Sequence, residues 1–145
     1  MAEVLPQLAK DHPEFYGNIG IKDLSDKMFQ YLKENTPGAR LDAAFSSLPE
    51  QAMTPRDAYM EIVRDNIELV PSDKLANRVA ANSIIPYPPG IPMMMSGERF
   101  GGDDSPQIGY LHALEAWDRQ FPGFEHVTEG SDAIDGIYHV MCVKE

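Results

Sequence analysis

Residue types that commonly do chemistry are few and widely scattered in this sequence. Its four histidines and its single cysteine, Cys142, have no spacing typical of a metal site. The sequence contains no GxSxG, CxxC, HExxH, phosphate-binding loop or dinucleotide-type glycine cluster. One acidic stretch, residues 101–104, offers too few carboxylates for calcium and is interpreted as a loop before a helix. These residues therefore predict no catalytic or metal centre of their own.

Three isolated side chains have structural interpretations. His112 lies beside the apolar stripe of a predicted helix, and His139 alternates with apolar residues in a predicted strand. Each is interpreted as a partly buried structural histidine rather than as a catalytic base. Cys142, in the same strand, is interpreted as an inert core thiol, and the run Met93–Met95 as adaptable packing.

A different pattern occupies residues 84–98, IIPYPPGIPMMMSGE. Prolines remove backbone donors, so this stretch is predicted to be neither a regular helix nor a central strand, but a rigid extended crossing bent at Gly90. Tyr87 lies between prolines, and Glu98 follows the apolar run. A carboxylate at the end of a stiff support is what a binding site requires. Glu98 could equally make a buried or helix-end hydrogen bond, and the spacing leaves both interpretations open.

Composition limits the class of protein. A chain of 145 residues, 43% hydrophobic and 24% charged, fits one domain over 1–145, with about 1–19 as a possible linker or leading segment. A net charge of −11 disfavours nucleic acid and anionic membranes as partners, and no apolar run is long enough to span a bilayer. The acidic surface favours solubility and could attract cationic small molecules. The single cysteine and the lack of a signal-peptide pattern predict a cytoplasmic protein.

The elements that must position these residues are predicted from apolar periodicity and capping residues. The first predicted helix runs from Ile21 to Leu32 and is ended by Pro37-Gly38, and a helical turn or two follows over Leu41–Leu48. A helix capped by Thr54 is predicted to bury Tyr59, Ile62 and Val63, and one capped by Ser72 holds Leu75 and Val79. The last predicted helix is capped by Ser105 and buries Ile108, Leu111, Leu114, Trp117 and Phe121. The predicted strands are Ile84-Ile85, Pro92–Met95, Glu125–Thr128 and a central strand Gly136–Val143. The loop before the last strand is too long for a tight hairpin. The predicted class is α+β, with several helices packed on a small sheet.

One long motif resembles a known family. The segment Arg78–Glu98, RVAANSIIPYPPGIPMMMSGE, closely resembles a signature of the C-terminal domain of bacterial Orn/Lys/Arg decarboxylases, R-x-x-A-N-x-x-x-P-Y-P-P-G-I/V-P-x-x-x-P-G-E. Ser96 stands where many members have proline. Further similarities are DHPEFY at 11–16, IKDL at 21–24, MTPRDA at 53–58, FPGFE at 121–125 and the closing GIYHVMCVKE. The resemblance therefore spans nearly the whole chain.

The resemblance implies a C-terminal domain of a larger cytoplasmic enzyme that uses pyridoxal 5′-phosphate and has the aspartate-aminotransferase fold type. Such enzymes decarboxylate lysine, arginine or ornithine to a diamine or polyamine. The implied partners are a large pyridoxal-phosphate domain, further copies in a dimer or ring of dimers, and the cationic substrate. The family's Schiff-base lysine stands in a Ser-x-His-Lys motif, and no histidine here precedes a lysine. We therefore expect the chain alone to be inactive and to hold no cofactor.

The resemblance also suggests roles for particular residues. Glu98 and Tyr87 are the substrate-entrance candidates, since a carboxylate there could pair with the distal cation of the substrate. Arg78 is the candidate for an interdomain anchor. Two alternatives stay open: a structural module that supports oligomerisation, and a separately encoded regulatory binding domain. We also expect part of the surface around Met93–Met95 to be exposed. The sequence does not choose between lysine, arginine and ornithine.

Overall fold

The structure is a computed structural model that describes residues 4–144, and within them it is α+β, as predicted. The helices are α1 (Pro6–Asp11), α2 (Pro13–Tyr16), α3 (Ile21–Asn35), α4 (Pro37–Ser46), α5 (Pro55–Val63) and α6 (Pro106–Gln120), with a 3₁₀ turn at Ser72–Lys74. The strands are β1 (Glu50–Gln51), β2 (Ile67–Pro71), β3 (Ile85–Tyr87), β4 (Glu98–Arg99), β5 (Val127–Glu129), β6 (Ser131–Ile134) and β7 (Ile137–Val143). In the described part of the chain they form three small antiparallel sheets, β1-β4, β2-β7-β6 and β3-β5, where one sheet was expected.

The main core lies between α6, α4 and β7. Ile108, Leu111 and Leu114 are at most 3% exposed, because their spacing places them on one face of α6, as the periodicity predicts. The predicted cap differs, since the Ser105 hydroxyl donates to Gln107 Oε1 and makes no capping bond. The Gln107 amide in turn donates to the carbonyls of Ala44 and Ser47, each at 2.9 Å, which ties α6 to the end of α4.

A second, smaller cluster joins the N-terminal helices to the far end of α6. Ala9, Tyr16 and Leu24 are buried against Phe121, and the Tyr16 hydroxyl donates to the Pro122 carbonyl at 2.8 Å. The segment predicted as a possible leading segment thus contains α1 and α2, and its first three residues lie outside the described part. Pro37 both follows α3 and occupies the first turn of α4, because proline is well accepted there. The Leu41–Leu48 segment was expected to give only a turn or two, but α4 runs to Ser46.

The last strand is central, as predicted. β7 lies between β2 and β6, and its Val140 and Cys142 side chains are fully buried. The loop prediction before it is wrong, because β6 lies inside that stretch and pairs with β7. Asp135 and Gly136 form the turn with φ values of 52° and 74°. Positive φ at both central positions is what a tight two-residue hairpin requires, and Asp-Gly supplies it.

Two helix predictions need correction. In α5, Ile62 of the predicted face is half-buried, but Tyr59 and Val63 are 62% and 58% exposed, and Ala58 is the fully buried residue, so the helix docks mainly through a small side chain. The segment after Ser72 is only a 3₁₀ turn. The turn ends at Lys74, and after Asn77, which takes a left-handed conformation with φ of 63°, Val79 bridges to Arg99.

Candidate functional site

Residues 84–98, here called the Pro-rich segment, turn back on themselves so that Ile84 lies beside Met93 and Met94. The Ile84 amide donates to the Met94 carbonyl at 2.9 Å, and the Met93 amide donates to the Ile84 carbonyl at 2.8 Å. Two short strands were expected: Ile84-Ile85 overlaps β3 at Ile85, whereas residues 92–95 form no strand and Met94 makes an isolated bridge to Ile84. Pro86 lies within β3, and it is tolerated because the β3-β5 ribbon has only two strands and both are edges.

The bend of the Pro-rich segment is at Gly90, as predicted. The Gly90 amide donates to the Pro86 carbonyl at 2.8 Å, and its φ is 79°. A Cβ at this position would lie 2.8 Å from Cε1 of the Tyr87 ring, so the ring packs directly over the turn. Glycine is therefore needed both for the backbone angle and for the close approach of Tyr87.

Apolar residues of the Pro-rich segment divide between core and surface. Met93 and Met94 are 4% and 0% exposed, whereas Tyr87, Ile91 and Met95 are 42%, 55% and 44% exposed. The expectation of partial exposure around Met93–Met95 is confirmed at Met95. The segment thus presents a rigid apolar outer edge whose inner side is anchored in the core.

Glu98 is held by one oxygen of its carboxylate. Oε2 accepts from the Met95 amide at 2.7 Å, while Oε1 has no hydrogen-bond partner in the described part of the chain. The preceding Gly97 carbonyl accepts from the amides of Ala52 and Met53, each at 3.0 Å. Glu98 is half-buried. It therefore has the local hydrogen bond that one interpretation expected, and it also keeps an oxygen available for another donor.

The three predicted site residues are not brought into one cluster. Tyr87 pairs with Val127 of β5, whereas Glu98 pairs with Gln51 of β1, and no hydrogen bond of the described residues joins Tyr87 to Glu98. The backbone of Arg78 lies beside β4, since its carbonyl accepts from the Phe100 amide at 2.8 Å, but its side chain donates from Nη2 to Glu68 Oε1 at 2.6 Å and to the Val143 carbonyl at 3.1 Å. These contacts bind Arg78 within its own chain, and its role as an interdomain anchor stays a prediction.

A polar network that the sequence did not indicate joins α6, β5 and β7. Asp118 accepts from the His126 amide at 3.0 Å, lies 3.2 Å from His126 Nδ1, and accepts from the Tyr138 hydroxyl at 2.7 Å. Glu115, only 6% exposed, accepts from the Tyr138 amide. Burial first, and then the Asp118 carboxylate, raise the pKa of the Tyr138 phenol. The partners stand on three separate elements, so no local spacing could have shown the network.

Two cavities flank this network. One, of about 340 Å³, is lined by residues that include Glu115, Asp118 and His126. The other, of about 310 Å³, is mostly apolar and lies between α4, α6 and Pro88, with His126 at its edge. His126 therefore borders both. His112 was expected to be partly buried, but it is exposed at the surface of α6.

The side chains do not fit pyridoxal phosphate. All six lysines are exposed, at positions 10, 22, 27, 33, 74 and 144, and none stands in an enclosed cavity that could take a pyridine ring. Among residues 4–144, no group of three or more histidine, cysteine or carboxylate side chains is arranged to hold a metal. Cys142 is buried, and burial raises the pKa of its thiol to about 12, which fits an inert core residue. None of the described helices is both long enough and apolar enough to cross a membrane.

Comparison with known proteins gives one consistent result. Residues 38–144 match the family described as Orn/Lys/Arg decarboxylase, C-terminal domain. The chain is 60% identical over 99% of its length to the biodegradative arginine decarboxylase of Escherichia coli, of which it covers 19%. It is 38% identical to the lysine decarboxylase LdcA of Pseudomonas aeruginosa, covering all of this chain and 20% of that protein. The solved constitutive lysine decarboxylase of E. coli superposes with a TM-score of 0.90 at 33% identity, over 99% of this chain and 20% of that one. The chain thus spans about a fifth of the length of these relatives.

Proposed function

Because this chain belongs to the C-terminal domain family of the Orn/Lys/Arg decarboxylases, we propose that it is the accessory C-terminal domain of such an enzyme and lies beside the entrance to the active site. The parent enzyme would convert lysine, arginine or ornithine to the corresponding amine and CO₂ in the cytoplasm. The match to the family over most of the chain carries this proposal. The relatives include proteins described as decarboxylases of all three amino acids.

The cofactor would be held elsewhere in the parent enzyme. Pyridoxal phosphate, when bound, supplies an electron sink for the bond that loses CO₂. The exposed lysines of this chain offer no site for it, so we propose that the large domain of the same enzyme binds it. This chain alone is then expected to have no decarboxylase activity.

Glu98 is proposed to recognise the cation of the incoming substrate. One carboxylate oxygen is fixed by the Met95 amide, so the group is oriented, and the other has no hydrogen-bond partner in the described chain. A carboxylate paired with an ammonium or guanidinium makes a charge-assisted hydrogen bond stronger than a neutral one. Tyr87, with its ring fixed over Gly90, is proposed to form an apolar wall of the same entrance.

A kinetic comparison in the full-length decarboxylase that carries this domain tests these roles. Glu98→Gln keeps the acceptor for the Met95 amide and removes the charge, so we expect KM for the amino acid to rise about tenfold while kcat changes little. Glu129→Gln, at an exposed position of β5, is the matched control and should leave both constants unchanged. Equal constants for Glu98→Gln and the parent enzyme would remove Glu98 from the entrance.

A second candidate, a structural module that supports oligomerisation, is favoured by a separate observation. Large apolar side chains are well exposed outside the Pro-rich segment, among them Phe29 at 69%, Leu48 at 93% and Val127 at 63%. Such surface is often covered by another chain or domain. Under this alternative, Phe29→Ser or Leu48→Ser changes the subunit count measured by light scattering and leaves KM unchanged. A separately encoded regulatory domain would instead require a reading frame that starts at this chain.

A further inference from the structure

We infer that Asp118 is a positioning residue for the Pro-rich segment. Its carboxylate accepts from the backbone just before β5, and β5 pairs with β3, the strand that ends at Tyr87. The inference rests on the proposed function only in its last step, which places Tyr87 at the substrate entrance.

The Asp118 carboxylate accepts hydrogen bonds from two other parts of the chain. Oδ1 accepts from the His126 amide at 3.0 Å and lies 3.2 Å from the His126 ring nitrogen, and Oδ2 accepts from the Tyr138 hydroxyl at 2.7 Å. The Asp118 side chain is 14% exposed. Hydrogen bonds to a charged acceptor in such a position are stronger than neutral ones and are costly to lose. One carboxylate of α6 therefore fixes both the approach to β5 and the start of β7.

The residue next to Asp118 reinforces this connection. The Trp117 indole N–H donates to the Phe124 carbonyl at 2.8 Å, and its ring meets the His126 ring edge-on with centroids 5.7 Å apart. Trp117 and Asp118, which are consecutive in α6, thus contact the backbone of residues 124–126 and the His126 side chain. The chain that enters β5 is fixed relative to the rigid core helix.

From β5 the connection reaches the Pro-rich segment directly. Val127, the residue after His126, pairs with Tyr87, and Thr128 pairs with Pro86. His126 and Pro88 also border the same cavity of about 310 Å³. A shift of His126 away from Asp118 would therefore move β5, whose Val127 pairs with Tyr87. It would also change the cavity that His126 shares with Pro88. Among residues 4–144, β5 is the strand that pairs with β3, so the placement of Tyr87 depends on β5.

Two substitutions in this chain test the positioning step without any assay of activity. Asp118→Asn cannot accept from both His126 and Tyr138 as the carboxylate does, and Tyr138→Phe removes one donor while keeping the ring. For both we expect amide hydrogen exchange in β5 to accelerate on the order of tenfold, and the NMR signals of the Tyr87 ring to shift. Exchange in β2, which pairs with residues 139–143 of β7 and not with Tyr138, should stay at the parent rate. Tyr59→Phe, at an exposed position, is the control and should change neither reading.

The same variants in the full-length decarboxylase separate the inference from the proposed function. If the positioning role of Asp118 and the entrance role of Tyr87 both hold, Asp118→Asn raises KM severalfold while kcat stays within about twofold of the parent. Loss of folded enzyme would instead lower the apparent kcat and leave KM unchanged. Faster β5 exchange with unchanged KM supports the positioning role and contradicts the entrance role of Tyr87. Parent-like exchange in β5 and parent-like Tyr87 signals in both variants would overturn the inference, whatever the kinetics.

Discussion

Replacing Gly97 with alanine (Gly97→Ala) tests how strictly the end of the Pro-rich segment is built. Gly97 has a φ of 87°, and a Cβ there would lie 2.4 Å from the Met53 carbonyl oxygen. That oxygen belongs to backbone and cannot rotate away. The Gly97 carbonyl also accepts from the Ala52 and Met53 amides, so any shift that relieves the collision weakens these bonds.

The expected cost follows from these two terms. A left-handed backbone conformation costs a non-glycine residue about 1–2 kcal/mol. Each of the two backbone hydrogen bonds contributes on the order of 1 kcal/mol. We therefore expect Gly97→Ala to lower the free energy of unfolding by about 2–4 kcal/mol. A loss of this size is a large part of the stability of a small domain.

Urea unfolding of the 145-residue chain, followed by the fluorescence of its single tryptophan, measures this loss. Gly38→Ala is the matched control, because Gly38 lies in α4 with no atom within 4 Å of an added Cβ. There alanine should stabilise the chain by up to about 1 kcal/mol through helix propensity. A Gly97→Ala free energy of unfolding within about 0.5 kcal/mol of the parent, the range of an ordinary surface substitution, would show that this position does not require glycine.

Three further outcomes follow from burial and ionisation. Met94→Ala, at a fully buried site, is expected to cost about 2–5 kcal/mol in urea unfolding, whereas Met95→Ala, at a 44% exposed site, should cost less than about 1 kcal/mol. Burial raises the pKa of Cys142 to about 12, so the folded state favours the neutral thiol. Its contribution to the free energy of unfolding is therefore complete below the unfolded pKa of about 8.5 and is lost as the pH rises from there toward 12. Cys142→Ala should remove this pH dependence, which urea unfolding between those pH values measures. Arg78→Gln removes the bonds to Glu68 and to the Val143 carbonyl, and a loss of about 1–3 kcal/mol is expected, with a smaller loss showing that these bonds are not needed.

The parts of the fold that the sequence predicts well are those with a local signal. The periodic apolar residues of α6 and the Thr54-Pro55 start of α5 were correctly placed, since the Thr54 hydroxyl accepts from the Asp57 amide at 3.1 Å. The hairpin between β6 and β7 also had a local signal, the Asp135-Gly136 pair, and the length of the loop obscured it. The predicted buried face of α5 was wrong at Tyr59 and Val63, because the face depends on which neighbour the helix meets, and periodicity does not contain that information.

The candidate site divides in the same way. The Pro-rich segment was identified from its composition and its motif, and its bend at Gly90 follows from the residues themselves. The hydrogen bond from the Met95 amide to Glu98 was one of two open interpretations, and the structure was needed to show that it uses only one oxygen. The Asp118 network could not be predicted, because its members come together only when α6, β5 and β7 pack.

A reconstruction of the full-length decarboxylase with a bound substrate analogue by electron cryomicroscopy tests the central claim most directly. We expect the Pro-rich segment to border the channel leading to the cofactor, with Glu98 Oε1 and the Tyr87 ring facing that channel. A reconstruction in which this segment faces bulk solvent, or is covered by another subunit far from any channel, would contradict the entrance role and favour the structural alternative.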